Sequence, residues 1–454
     1  MRLILRSGLI NFFILLCAIN LFGQTNQKVL PSESQLNLAD CEIGVLIHFD
    51  INIFEPEQFD YKKKETLPDL KKFNPSKLNT DQWISAAKNA GAKYAILTAK
   101  HGTGFCLWKS KAYNYNVGFT PWENGKGDIV RDFIASCKKY NIKPGFYYNT
   151  NINTYLEAGF KPFESTEKRN EYNRIVLQQL RELWTQYGDL FEIWFDGGIV
   201  PEEKGGIADE VFQLIKDHQS NAILFQGPLE SQNLIRWIGN EDGRAKYPNW
   251  SRANAVTSSN GTTEIINYQG SPDGNVWSPA EADFPNIKKS AWNGGWLWKA
   301  GEDSLLFSVD DLISRYYTSV GMNANMLIGM AIDTSGQFPA KAAEIFSDFG
   351  REIKKLFNKP LASTGGNGNI IELNISKKPV SVNNIVIQEN ISKGERVRKY
   401  SIEAFVNGEW IKVAAGISIG HKRIHKIESL KTTKLRINIL ESSEKPLISN
   451  FAAY

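Results

Sequence analysis

Residues 91–101 read Gly-Ala-Lys-Tyr-Ala-Ile-Leu-Thr-Ala-Lys-His, an apolar run that opens on a glycine and closes on a lysine and a histidine. Positions 92–99 are almost unbroken apolar sequence, as in a strand of a parallel sheet buried on both faces. Directly before them, residues 81–90 spell a helix, with Asn79-Thr80 as N-cap and Gly91 as stop. Further on, 128–140 places Ile129, Val130, Phe133, Ile134 and Cys137 on one helical face, and a second apolar run, 142–148, follows. The alternation spreads in both directions. Apolar runs recur at 43–49, 190–195, 222–225, 235–238 and 325–332, and helical stretches at 167–187, 209–217, 309–319 and 340–357. Strand, helix, strand over some 320 residues predicts a parallel sheet with crossover helices. With nearly eight units, a closed (β/α)8-like barrel is favoured over an open doubly wound sheet. No glycine-rich phosphate loop follows the first run, which argues against a dinucleotide fold.

The pattern changes after Lys359-Pro360. Residues 380–388, 397–405, 410–413, 422–427 and 434–439 are β-type runs, with turns at Asn407-Gly408 and Ser392-Lys393-Gly394. This predicts a C-terminal antiparallel β-sandwich over 360–454, behind a barrel domain over 24–359. Residues 1–23 form a third object. Arg2 and Arg6 precede an apolar stretch, 9–22, that ends at Gly23-Gln24, the order of a secretory signal peptide. The stretch is short for a membrane span and contains Asn11 and Asn20. The expectation is therefore a secreted or periplasmic chain with a cleaved leader and no membrane span. Without the leader, Cys41, Cys106 and Cys137 remain, an odd set without metal-like spacing, expected as buried free thiols.

Of the 454 residues, 42% are hydrophobic, which excludes an intrinsically disordered chain. The formal charge of +4 falls to +2 once Arg2 and Arg6 are cleaved, which gives no electrostatic footprint for nucleic acid. An aromatic content of 12% with 12 Trp suits either ring-shaped ligands such as sugars or a large core. Trp83 and Trp184, at helical spacing, are expected in the core.

In such barrels the working residues lie at the C-terminal strand ends. Those ends carry His48-Phe49-Asp50, Lys100-His101-Gly102, Tyr147-Tyr148-Asn149, Trp194-Phe195-Asp196-Gly197-Gly198 and Trp237-Ile238-Gly239-Asn240-Glu241. Asp196 follows an apolar strand and precedes two glycines, so it is either an accessible reacting carboxylate or a strand-end carboxylate satisfied by backbone amides. Glu241 is either a second reacting carboxyl, with aromatic neighbours able to raise its pKa, or a surface loop glutamate. Two such carboxyls are what glycoside hydrolysis requires. His48 and His101, with Asp50 or Asp196, could alternatively form a two-His, one-carboxylate metal site, although no His-x-His or HExxH spacing is present.

The segments around these residues resemble the α-L-fucosidases of glycoside hydrolase family 29. Gly91–His101, continued by Gly104-Phe-Cys-Leu-Trp-Lys-Ser110, is similar to one family signature, and Trp194-Phe-Asp196-Gly-Gly198 to the nucleophile segment. Ile235-Arg-Trp-Ile-Gly-Asn-Glu241, Trp277-Ser-Pro-Ala-Glu281-Ala-Asp283 and Gly295-Trp296 resemble elements of the branch acting on α-1,3 and α-1,4 linkages. The resemblance implies a retaining exo-glycosidase that needs no cofactor and no metal and acts on an oligosaccharide or glycoconjugate. Asp196 would be its nucleophile and Glu241 its acid/base, with His48, His101, Tyr148, Trp194 and Trp296 lining the sugar subsite. The chain departs from the family pattern at Gly102, where a histidine is usual, at Gln58-Phe59 in place of Glu-Trp, at Asp50 in place of a glycine, and at Leu327-Ile-Gly329-Met330. The lost histidine and glutamate belong to sugar recognition. The alternatives are therefore an α-L-galactosidase-like relative or a glycan-binding protein on a decayed scaffold.

Overall fold

The computed structural model describes residues 28–257 and 264–454. The expected leader lies outside the described residues. Eight parallel strands close into a barrel in chain order: β1 (Ile43–His48), β2 (Tyr94–Lys100), β3 (Lys143–Asn149), β4 (Glu192–Asp196), β5 (Ile223–Phe225), β6 (Leu234–Trp237), β7 (Ala280–Phe284) and β8 (Ala324–Ala331). β1 closes the ring by pairing with β8, Ile43 opposite Met326 through His48 opposite Ala331. All residues of β1, β2 and β8 are buried, which is why these strands read as continuous apolar runs.

The helices fall where the periodicity put them, to within a residue or two at each end. They are α2 (Thr80–Asn89), α3 (Ile129–Tyr140), α4 (Thr166–Gln186), α5 (Ala208–His218), α6 (Val309–Thr318) and α7 (Ala340–Phe357), preceded by α1 (Glu33–Cys41). Asn79 caps α2 by accepting from the Gln82 amide at 3.3 Å. Trp83 on that helix and Trp184 on α4 are buried in the layer between helices and barrel, as expected.

Three features depart from a regular eightfold repeat. No helix separates β5 from β6. The β6–β7 connection is a long excursion with short β-ribbons, Arg252–Ala253 paired with Val276–Trp277 and Ala255–Thr257 with Glu264–Ile266. Helix α1 lies against the N-terminal mouth of the barrel. There Gln35 donates to the carbonyls of Leu234 and Trp277, and Asn325 donates to that of Leu38. The sequence reading missed β7 because Ala-Glu-Ala-Asp-Phe holds two acids. Both point into the barrel and are buried there.

The C-terminal unit holds two four-stranded antiparallel sheets. Its strands are β9 (Ala362–Gly366), β10 (Ile370–Asn374), β11 (Val380–Glu389), β12 (Val397–Val406), β13 (Glu409–Gly416), β14 (Arg423–Thr432), β15 (Lys434–Ser442) and β16 (Ile448–Ala453). The sheet orders are β9-β16-β11-β14 and β10-β15-β12-β13. Alternate residues such as Leu435, Ile437 and Ile439 on β15 point into a shared core with Ile385, Ile402 and Phe451. Cys41, Cys106 and Cys137 are free and buried. Among the described residues no helix is long and apolar enough to cross a membrane.

Candidate active site

Asp196 ends β4, and the chain then turns sharply. Gly197 and Gly198 both take positive φ, +78° and +72°. A Cβ on Gly197 would lie 2.7 Å from the Asn151 amide, which donates to the Gly197 carbonyl at 2.8 Å. The double glycine therefore lets the β3 and β4 loops pack side by side and leaves the carboxylate at the mouth of the barrel. Register supplies its partners. Asn149 lies opposite Asp196, and Tyr147 opposite Trp194. Tyr147 Oη donates to Asp196 Oδ2 at 2.5 Å and Asn149 Nδ2 donates to the same oxygen at 2.7 Å. Both bonds fall on Oδ2, and Oδ1 receives neither of them.

Burial raises the Asp196 carboxyl above its ordinary pKa, while the Tyr147 hydrogen bond, the Lys100 charge and the Asn149 hydrogen bond oppose it. Removal of the Tyr147 hydroxyl deletes the largest of the opposing influences, so the carboxyl should move further up. Tyr147→Phe is therefore expected to shift the acidic limb of kcat/KM to higher pH. It should lower the rate at neutral pH by about ten-fold, the worth of one hydrogen bond to a charged group. A pH–rate profile with the acidic limb unmoved would contradict this assignment.

Successive strands each contribute one inward ring at this level. Trp194 stacks on Phe225 at 3.8 Å between centroids, Tyr147 on Trp194 at 5.2 Å, and His101 on Tyr147 at 5.6 Å. His48 meets His101 edge-on and lies 4.9 Å from Trp296. All of these but Phe225 border a cavity of ≈ 180 Å3 lined by Leu46, His48, His101, Tyr147, Trp194, Asp196, Glu241, Asp283, Asn293, Trp296 and Leu297. The structure thus brings six of the seven expected site residues together.

The seventh, Tyr148, lies elsewhere. Side chains alternate along a strand, so when Tyr147 faces the barrel interior its neighbour faces the helices. Tyr148 is buried there, its hydroxyl donating to Gln179 at 2.6 Å, with the Lys100 ammonium 4.7 Å from its ring. Tyr147 takes the place expected for it. Strand parity referred to Asp196 would have found both Tyr147 and Asn149, since Asp196 and Trp194 are two residues apart on one face.

Asp283 is the third carboxyl of the cavity. It is 3% exposed, accepts from Trp237 Nε1 at 2.6 Å, and is pushed well above the usual carboxylate range by burial and by the Glu241 charge. Below it Glu281 accepts from Tyr94 Oη and Trp194 Nε1. Glu281 is raised by burial, and so is its neighbour Glu192. That buried carboxyl pair binds a proton more readily than free carboxylates do and supports the ring column from beneath.

Tyr61, from the β1–α2 loop, fills the space beside Gly102, where the chain departs from the family pattern. A Cβ on Gly102 would sit 2.9 Å from Tyr61 Cε1, so the ring has taken the place of any larger side chain there. The amides of Asn52 and Asn293 both donate to Tyr61 Oη, so its own proton goes to His101 Nδ1 at 3.0 Å. Burial holds His101 down to about 3, and the neutral ring therefore carries its proton on Nε2. Asp50 is occupied otherwise: both its oxygens accept from Thr103 Oγ1, and one accepts from the Ile51 amide. Among the described residues no group of three or more His, Cys, Asp or Glu side chains is arranged to hold a metal.

The alpha-L-fucosidase family model matches residues 40–356. Alpha-L-fucosidase 1 of Arabidopsis thaliana is 30% identical over 94% of this chain and 87% of its own length. Two crystal structures superpose over 94% of this chain. A candidate alpha-L-fucosidase from Bacteroides thetaiotaomicron VPI-5482 is 36% identical with a TM-score of 0.86 and is covered over 99% of its length. A glycoside hydrolase 29 family member from an unknown rumen bacterium is 29% identical with a TM-score of 0.79 and is covered over 77%. The chain, a closed barrel that gathers Asp196, Glu241 and Asp283 around one cavity, belongs to the alpha-L-fucosidase family of glycoside hydrolases.

Proposed function

We propose that the enzyme is an exo-acting α-L-fucosidase that retains anomeric configuration, with Asp196 as nucleophile and Glu241 as acid/base. The observation that carries this reading is the meeting of Asp196, oriented by two donors, with Glu241 in one small cavity. Asp196 attacks the anomeric carbon through Oδ1 while Glu241 protonates the departing oxygen. Water, deprotonated by Glu241, then releases the sugar from the covalent intermediate. His48, His101, Trp194 and Trp296 line the sugar subsite with Tyr147. The cavity wall sets polar groups, the histidines, Asn293 and the carboxyls, against apolar ones, Leu46, Leu297 and the Trp296 ring. That mixture suits a 6-deoxy sugar, whose hydroxyls and methyl group need different walls. The likeness of the Glu241 and Glu281–Asp283 segments to the α-1,3/1,4-acting branch supports a terminal fucose in those linkages as substrate. The leader read at residues 1–23 supports a secreted or periplasmic enzyme.

A screen of aryl glycosides tests the sugar. The α-L-fucoside is expected to be preferred over the α-L-galactoside by about 10–100-fold in kcat/KM, because the latter adds a hydroxyl that must be buried against apolar groups. Equal turnover would reassign the sugar. Turnover of neither, together with calorimetric binding of fucose, would reassign the protein as a lectin. Proton NMR in the first minutes should show the α-anomer as first product; β-first product would overturn retention.

A further inference from the structure

Glu241 rides on the β6–β7 excursion, which has no helix among its described residues and is held instead by buried polar and charged groups. Arg236 on β6 is 2% exposed, and its guanidinium gathers the excursion around itself. It donates to the carbonyls of Tyr268, Ser278 and Trp250 and to Asn249 Oδ1. Such a cation is steadied by negative charge in its neighbourhood, and Glu395 of the other domain supplies one without pairing with it directly. Glu395, just before β12 in the β-sandwich, is 4% exposed, and its carboxyl and Arg236 influence each other electrostatically. Its oxygens accept from the Ser251 amide at 2.9 and 3.0 Å and from Asn323 Nδ2 at 2.7 Å. Asn323 in turn donates to the Asn249 carbonyl. Arg398 adds a second tie, donating to the Pro272 carbonyl at 3.2 Å with its guanidinium 4.7 Å from the Trp250 ring.

We propose that Glu395 of the β-sandwich is a positioning residue for Glu241, holding the β6–β7 excursion so that the acid/base carboxyl meets the leaving-group oxygen. The inference rests on the reading of Glu241 as acid/base. The C-terminal domain is then part of the catalytic apparatus, although it contributes no group to the cavity. The physical reason is reach. A general acid works within roughly 2.6–3.2 Å of the atom it protonates, and a 1 Å misplacement costs on the order of 100-fold. Loss of the Glu395 carboxylate would leave the Ser251 amide and Asn323 Nδ2 short of an acceptor and weaken the negative field on Arg236, letting the excursion relax towards water.

The test compares wild type, Glu395→Gln and Glu241→Gln on a series of aryl α-L-fucosides from 2,4-dinitrophenyl, which departs unaided, to phenyl, which needs the proton. Glu395→Gln is expected to lose about 10–100-fold in kcat/KM on the phenyl fucoside and less than about three-fold on the dinitrophenyl fucoside. A merely structural role lowers both equally, and that result overturns the proposal. Glu241→Gln separates the two claims. If it shows no dependence on leaving group, the acid/base reading falls; if it shows one and Glu395→Gln does not, only the positioning claim falls. Should Glu395→Gln fail to fold, Glu395→Asp decides: it keeps the negative charge but draws the carboxylate back from the Ser251 amide and Asn323 Nδ2. A smaller dependence of the same sign supports the proposal, and a wild-type profile overturns it.

Discussion

Asp196→Gly is expected to lose at least about 1,000-fold in kcat on 4-nitrophenyl α-L-fucoside, because the carboxylate that Tyr147 and Asn149 orient for attack is gone. That loss corresponds to about 4 kcal/mol of transition-state stabilisation. Asn149 and Tyr147 hold the Asp196 carboxylate through Oδ2, but neither is a nucleophile at neutral pH: the Tyr147 hydroxyl is pushed far above its ordinary pKa by burial and by Asp196 itself. The glycine variant removes the carboxylate and leaves a small space on the same side of the sugar. Added azide should enter it, restore turnover and yield the β-fucosyl azide. The stereochemistry of that product is the stronger measurement, since it reports which face the missing side chain served. Wild-type activity in this variant would remove Asp196 from the mechanism.

Glu241→Gln is the second large effect. The substitution keeps size and hydrogen-bonding shape but removes the transferable proton, so the loss should follow the need for it: about 100–10,000-fold on a phenyl fucoside and far less on a dinitrophenyl one. Once leaving-group departure no longer limits, hydrolysis of the covalent intermediate does, because water has lost its base. A burst of dinitrophenolate followed by slow steady turnover is therefore expected, with azide accelerating the slow phase to give the α-azide. Opposite azide anomers from the two variants would establish two carboxyls on opposite faces of one sugar. The same anomer from both would refute the assignment.

Most of the barrel was legible because parallel strands covered on both faces must be apolar throughout, and the runs at 43–49, 92–99 and 325–332 carry that mark plainly. β7 was not, since its buried acids break the apolar run, and only the tertiary partners Tyr94, Trp194 and Trp237 make their burial tolerable. The helix that a regular repeat would place after β5 has no counterpart, and the loss is invisible locally because the short apolar runs on either side read the same with or without it. Within the site, Asp196 and Glu241 stood out as carboxyls after apolar strands, whereas choosing Tyr147 over Tyr148 required strand parity. Tyr61, which bonds His101, and Asn293, which donates to Tyr61, come from loops 232 residues apart in sequence. Their meeting is set by the closing of the ring, and no local pattern announces it.

That closing has a temporal consequence. β1 is the first barrel strand to be synthesised, yet one of its two edges is satisfied only by β8, which begins at Ala324. At about 5–20 residues per second, the nascent chain spends tens of seconds with that edge unpaired. Exposed strand edges template aggregation, so this interval, before β8 emerges, is when the unfinished barrel is most exposed to it.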